Sequence, residues 1–326
     1  MRNIFITGGA GYVGSALIPK LLQKGYNVTV LDLMIYGDSV LPNHKNLKKI
    51  KGDIRDFALL KKLLPGNEIV IHLACISNDP SFELNPNLGK TINLDSFRPL
   101  VKISRDNGVN RFIYASSSSV YGIKSEKNVT EDMLLEPLTD YSRFKAECET
   151  ILLEYSSDNF ITSIVRPATV CGYAKRQRLD VVVNILANLA YHKREITVFG
   201  GSQLRPNIHI DDMVDVYLLL INADKNIINK EIFNAGFENQ SVMDLAKSAK
   251  SIIGQDVIIK EVTTDDIRSY HISSDKINRK LNFVAKKTIS DAISDLKFAF
   301  ENKLLINTLD DEKYFNLKKM QSIQLK

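Results

Sequence analysis

Cysteine is scarce in this chain: three residues, Cys75, Cys148 and Cys171, among 326. None is spaced as C-x-x-C. A disulfide framework and a zinc-type cluster are therefore excluded, and a reducing compartment suits the composition. Long apolar runs are missing too. No stretch reaches the roughly 18 apolar residues that span a bilayer. The net charge is +5, without a long block of one sign and without aromatic residues threaded through a basic patch. That favours small anionic ligands over a nucleic-acid polymer. No internal repeat and no low-complexity linker divides the chain. What is present is ordinary: 44% hydrophobic and 25% charged residues, enough apolar material to exclude bulk disorder. At about 150 residues per domain the length suggests two lobes or one large domain.

The apolar stretch Ile4-Phe5-Ile6 behind Arg2 stops at Thr7-Gly8-Gly9. That is too short for the apolar core of a signal peptide, so a buried strand entering a glycine turn and a cytoplasmic protein are expected. Strand-like and helix-like segments then alternate. Strands are predicted at 2–7, 28–31, 69–74, 111–116 and 161–166, with helices at 12–24, 56–64, 93–107 and 141–156. This alternation implies βαβ units and a parallel sheet with right-handed crossovers. Past Pro167 the pattern loosens. Helices are expected at 180–192, 212–222, 241–253 and 288–303, strands at 194–199 and 231–234, and a polar packed or frayed extension over 304–326.

Between the first strand and helix lies Thr7-Gly8-Gly9-Ala10-Gly11-Tyr12-Val13-Gly14. Gly8 permits a tight turn, Gly11 lets backbone approach a pyrophosphate, and Gly14 permits close packing of the helix. The helix N-terminus offers unpaired N–H groups and a positive dipole end. A glycine triplet alone fits a turn in any α/β protein. Here Asp32 ends the second strand, where a carboxylate accepts hydrogen bonds from the adenosine ribose and repels a 2′-phosphate. No Arg or Lys follows before Lys45, so NAD is expected rather than NADP. Asp53, in Gly52-Asp53-Ile54, is placed near the adenine.

Tyr141 and Lys145 stand four apart and share a helix face. A phenol is a poor base at neutral pH, and a neighbouring ammonium favours its ionised form. Upstream, Ser116-Ser117-Ser118-Ser119-Val120-Tyr121-Gly122 ends a strand and offers hydroxyls to a substrate alcohol. Separately these patterns are common; in this order behind a glycine turn they are specific.

The chain resembles the extended short-chain dehydrogenase/reductase family, the NAD-dependent nucleotide-sugar epimerases and dehydratases. The resemblance runs through Thr7–Gly14, Asp32, Asp53, His72-Leu73-Ala74, the serine segment, Tyr141/Lys145, Arg166-Pro167, Arg205–Asp212 and Asp266–Tyr270. It implies a Rossmann α/β fold: a doubly wound parallel sheet over 1–170, rejoined by 206–235, and a smaller C-terminal substrate lobe over 171–326. It implies Tyr141 as catalytic base, Lys145 as its partner and Ser117 as the assisting hydroxyl. Gly8, Gly11, Tyr12, Val13, Asp32, Asp53, Ile54, Leu73, Ala74, Ser116 and Pro167 would line the cofactor with Tyr141 and Lys145. Arg205 and Arg268 would grip a sugar-nucleotide diphosphate, for which a guanidinium fork is suited. Arg178, Asn184 and Asn78 are further expected substrate contacts.

Departures narrow the chemistry. The 4,6-dehydratases of the family carry Asp-Glu where this chain has Ser118-Ser119, which disfavours elimination. No cysteine lies in that segment, unlike the 3,5-epimerases. Cys171 reads as core filler and Cys75 as a packing residue near the nicotinamide. Oxidation at C4 of a nucleotide-diphosphate sugar follows, with return of hydride making a 4-epimerase of surface-polysaccharide synthesis. The alternatives are a 4-dehydrogenase acting on a substrate such as GDP-heptose, and an NAD-sensing regulator without turnover. The resemblance further implies a homodimer joined through the helices at 93–107 and 141–156, with no nucleic-acid or membrane partner and no metal.

Overall fold

The computed structural model describes residues 2–126, 128–264, 269 and 271–325. Six strands are interleaved with helices through the first half, except that β2 runs to β3 without one: β1 (Asn3–Thr7), β2 (Asn27–Asp32), β3 (Leu47–Lys51), β4 (Ile69–His72), β5 (Arg111–Ala115) and β6 (Ile161–Pro167). Later come β7 (Thr169–Cys171), β8 (Glu195–Phe199), β9 (Leu204–His209), β10 (Glu231–Ala235), β11 (Glu238–Ser241) and β12 (Ile258–Val262). The main sheet has seven strands in the order β10-β6-β5-β4-β1-β2-β3. Every neighbouring pair is parallel. The order is Rossmann, with β10 returning from the second half to extend the sheet beyond β6.

Side chains of a strand alternate between the two faces. In β1, Ile4 and Ile6 join one buried cluster and Phe5 the other. The first cluster lies beneath the helices Tyr12–Gln23 and Ile210–Asn222. The second lies beneath Phe97–Asp106 and Asp140–Glu154. Burial on both faces explains why these strands read as short continuous apolar runs. A third cluster, built on helices Val182–Lys193, Val242–Ile253 and Ile289–Glu301, forms the smaller lobe. The sheets β11-β9-β7 and β12-β8 accompany it. Among the described residues no helix is long and apolar enough to cross a membrane.

Several elements differ from expectation. The helix expected at 93–107 starts only at Phe97. Before it lie two short helices, Asp79–Glu83 and Pro86–Lys90, capped by the side chains of Asn78 and Asn85, and a π-helical turn at Thr91–Asp95. β3 and β12 escaped the pattern because each ends its sheet, and β3 carries Lys48, Lys49 and Lys51. Lysine on an edge strand blocks further pairing while hiding the apolar alternation. The helices Phe97–Asp106 and Asp140–Glu154 turn Arg98, Lys102, Arg105, Arg143, Glu147 and Glu154 outward. Arg98 and Glu154 pair across them at 2.7 Å.

Candidate active site

In the seven-stranded sheet the order of strand addition reverses between β1 and β4. Their carboxyl ends leave a crevice at that switch point. A cavity of about 620 Å³ lies there, lined from both halves of the chain. Gly8, Gly11, Tyr12, Val13, Asp32, Asp53, Ile54, Leu73, Ala74, Ser116, Pro167, Tyr141 and Lys145 all face it. So do Asn78, Ser117, Arg178 and Arg205. Arg268 lies outside the described residues.

The glycine turn is held by close approach. Gly8 has φ +73°, and a Cβ on it would sit 2.5 Å from the Ala74 backbone nitrogen. A Cβ on Gly14 would lie 2.2 Å from the carbonyl oxygen of Gly9, so the first helix packs on the turn itself. A Cβ on Gly11 would meet protein only at the Gly8 oxygen, 3.2 Å away, and Gly11 borders the cavity. That bare face and the adjoining helix start suit a pyrophosphate.

Asp32 accepts the Ala10 N–H on Oδ2 at 2.9 Å and the Met34 N–H on Oδ1 at 2.7 Å. Each oxygen keeps a lone pair, a match for two ribose hydroxyls. Burial raises the Asp32 pKa, while these backbone bonds and Arg176 oppose the shift. Arg176 is a cation that the reading of Asp32's sequence neighbourhood missed. It arrives from a loop 144 residues further on, which no local pattern could reveal.

Asp53 borders the cavity with Arg55 on its carboxylate. Both its oxygens are engaged by Arg55: Nε at 3.0 Å from each, Nη2 at 2.6 Å from Oδ2 and the backbone N–H at 2.8 Å from Oδ1. A carboxylate has about four lone-pair sites. Three N–H groups of Arg55 share these sites, so Arg55 competes with adenine for the Asp53 carboxylate.

Asn184 is not brought to the cavity. It is fully buried, accepting the Gly172 N–H and donating to Tyr12 Oη and the Arg178 carbonyl. With Tyr12 Oη donating to the Gly172 carbonyl at 2.6 Å, it ties the first helix to the second lobe. Its amide is spent on that latch and cannot touch substrate. Asn78 borders the cavity at φ +75°, but its side-chain oxygen caps the helix Asp79–Glu83.

Ser117, Tyr141 and Lys145, the trio expected to be catalytic, meet at the cavity. The helix carrying Tyr141 starts with a capping box between Thr139 and Ser142, which fixes the first turn and Tyr141 on it. The Lys145 ammonium stands 5.9 Å from the Tyr141 ring centroid and donates to the Ala115 carbonyl at 2.6 Å. Ser117 Oγ lies 2.8 Å from Ser119 Oγ and near enough to Tyr141 to act on its phenol. Electrostatics differ from the expected effect of lysine. Burial pushes the Tyr141 phenol above its ordinary pKa, and Cys75 and Asp79 add to the shift. Arg178 and the Ser117 hydroxyl work against it. Without ligands, Tyr141 is therefore a neutral phenol at neutral pH. Arg178, anchored by Asp180 at 2.6 Å, is a cation facing it across the cavity.

Beneath this trio runs a buried network. One turn beyond Lys145, Glu149 accepts Arg166 Nε at 3.0 Å and Nη2 at 2.6 Å, as well as the Ser116 hydroxyl. Arg166 continues to Tyr121 Oη at 2.8 Å, and Tyr121 donates to Asn234 at 2.7 Å. Glu149 and Asn234 were not singled out from sequence. The signal was there for Glu149, since 141, 145 and 149 share one helical face. His72 is buried against Tyr114 and bonded to Thr7 at 2.7 Å. Burial and then Lys145 lower its pKa to about 3. Cys75 borders the cavity, while Cys171 is fully buried with its thiol pKa raised by burial.

The cavity therefore suits NAD: a bare glycine turn for the pyrophosphate, a half-free carboxylate for the ribose, and Lys145 beside Tyr141. A model of the NAD dependent epimerase/dehydratase family matches residues 4–236. An uncharacterised UDP-glucose epimerase of Bacillus subtilis is 30% identical over 268 residues, 78% of this chain and 83% of that protein. The human dTDP-D-glucose 4,6-dehydratase is 28% identical over 305 residues, 85% of this chain and 84% of that one. The Thermotoga maritima UDP-glucose 4-epimerase, solved with UDP-glucose, superposes with TM-score 0.84 at 26% identity, covering 93% of this chain and all of the other. The chain belongs to the NAD-dependent epimerase/dehydratase family, and its cofactor is NAD.

Proposed function

We propose that the protein oxidises C4 of a nucleotide-diphosphate sugar and re-reduces it on the other face, making it a 4-epimerase. The observation that carries this reading is the meeting of Ser117, Tyr141 and Lys145 at one cavity, with Ser118 and Ser119 where an eliminating enzyme would carry an acid pair. Tyr141 must first lose its own phenolic proton to solvent, which the positive charge of a bound nicotinamide would favour; as the phenolate it receives the proton of the C4 hydroxyl, and Ser117 holds that hydroxyl in line. Lys145, pinned by the Ala115 carbonyl, keeps donors free for the nicotinamide ribose. A bound NAD would supply the acceptor, and then the donor, of the C4 hydride. Arg178 and Arg205 would hold the diphosphate. A role in surface-polysaccharide synthesis belongs to the same proposal.

Elimination has one local candidate. Asp79 borders the cavity and lies near enough to Tyr141 to raise its pKa, but its Oδ1 already accepts the Thr139 hydroxyl at 2.8 Å. A substrate deuterated at C4 separates the outcomes. Epimerisation keeps deuterium at C4 of the product. A 4-keto-6-deoxy product would instead make Asp79 the missing acid, and release of a 4-keto sugar would mean a dehydrogenase. A homodimer through helices Phe97–Asp106 and Asp140–Glu154 is also proposed. Its faces carry both signs of charge, so the association should weaken with salt. Sedimentation at 50 and 500 mM salt tests this.

A further inference from the structure

The stretch 304–325, polar in sequence, is anchored at both ends. On the lobe side Leu305 and Tyr314 are buried in the core, and Thr308 Oγ1 donates to Asn188 at 2.6 Å. On the nucleotide side Met320 is buried with Leu31, Ile54 and Ile76. Between them Asn316 is a hub. Its backbone N–H donates to Asp180 at 2.9 Å and its Nδ2 to Ser77 Oγ at 2.8 Å. Its Oδ1 accepts the Tyr36 hydroxyl at 2.9 Å and Arg176 Nη2. One side chain thereby joins the loops after β2, β4 and β7. Asn316, Met320 and Leu325 border the cavity at the end marked by Asp32 and Ile54.

A second, independent observation points to a ligand there. The Arg176 guanidinium lies 3.7 Å from the Tyr36 ring centroid and is almost fully buried, yet its Nε has no partner. A buried donor without an acceptor is costly, so such atoms mark places where something else binds. The Arg176 backbone N–H reaches Ser15 Oγ on the first helix, so the guanidinium is held beside the phosphate-binding turn.

We infer that the segment 304–325 is a strap that retains the dinucleotide, with Asn316 positioning Arg176 and Tyr36 against its adenosine half. The inference rests on NAD being the cofactor. Retention suits a reaction that regenerates its cofactor in every turnover, and it is a hindrance to one that must release NADH.

The test is the rate at which bound dinucleotide exchanges for the fluorescent 1,N6-etheno-NAD on the full-length protein. Asn316→Leu keeps the volume and loses the hub, and should speed exchange at least tenfold. Asn316→Asp keeps the acceptor for Tyr36 and Arg176, and should stay within threefold of the parent. Met320→Ala should also speed exchange, without touching the hub, so the idea survives misfolding of one variant. Unchanged exchange in both Asn316→Leu and Met320→Ala overturns the strap. So does equal acceleration by the leucine and aspartate variants, which would mark Asn316 as a packing residue. If a chain stopped after Phe315 binds etheno-NAD more tightly than the parent, the segment competes with the cofactor and the inference also fails. A parent protein stripped of bound dinucleotide that then binds no etheno-NAD would count against the cofactor assignment instead.

Discussion

Replacing Glu149 by Gln should be among the most damaging conservative changes in this protein. Glu149 is 3% exposed and Arg166 2% exposed, and their pairing is bidentate. Burial works to lower the Arg166 pKa, but Glu149 more than offsets it, so the guanidinium stays charged. Gln keeps the shape and removes the charge. It also turns an NH2 donor toward Arg166 or the Ser116 hydroxyl. Breaking one side of a buried pair leaves the other charge uncompensated and costs about 3–5 kcal/mol. Unfolding entropy near 2.1 cal/mol/K per residue makes roughly 0.7 kcal/mol/K for a chain of this length, so the midpoint should fall by about 4–7 °C. Calorimetry on the ligand-free protein measures it. The double change Glu149→Met with Arg166→Met should cost less than the sum of the singles, because the orphaned charge leaves as well. A midpoint shift under about 1 °C for Glu149→Gln, or additive single costs, would refute the assignment of the pair as a buried, mutually dependent unit. The same variant should lower kcat, because Ser116, adjacent to Ser117, exchanges a charged acceptor for at best a neutral one.

Three further outcomes are expected. Tyr141→Phe should lower turnover by roughly 10³, the usual worth of a positioned proton acceptor, while dinucleotide binding by fluorescence persists; retained turnover would remove Tyr141 from the chemistry. Asp32→Ala should weaken NAD at least about tenfold in calorimetric titration, since it strips a charged acceptor from two hydroxyls. Asp53→Ala should change it less than about threefold, because Arg55 already occupies that carboxylate; an equal loss in both would contradict the lone-pair accounting. Folded His72 stays neutral down to about pH 3, whereas the unfolded residue protonates near 6.5. Its contribution is therefore complete above pH 6.5 and is lost as pH falls, by about 1.4 kcal/mol per unit below that point. Urea titrations at pH 7.0, 6.0 and 5.0 should show this slope in the parent and a shallower one in His72→Gln; identical slopes would assign the acid sensitivity elsewhere.

Local patterns carried the nucleotide half of the molecule well. The apolar runs at Ile4–Ile6 and Ile69–Ile71 and the glycine turn are short-range signals, and they place the switch-point crevice. Tyr141 and Lys145 were legible because a helix repeats its face every four residues. Long-range placement was not legible. Arg176 reaches Asp32's field, and Asn316 reaches Tyr36 and Ser77, across 140 residues or more. Asn184 was misassigned for the same reason, since its partner Tyr12 is 172 residues away. At Asp53 a close neighbour, Arg55, competes for the carboxylate, which the Gly-Asp pattern alone did not show. The Tyr141 pKa went opposite to expectation because the lysine was considered without the burial of the ring.

The central claim is a redox-neutral change at C4 by a protein carrying its own cofactor. The most direct test is proton NMR of the purified protein with UDP- and GDP-hexoses and heptoses, with no NAD added. Growth of the anomeric signal of a C4 epimer, without net absorbance at 340 nm, is the predicted result. A 4-keto product in stoichiometric amount, with absorbance rising at 340 nm, would contradict it.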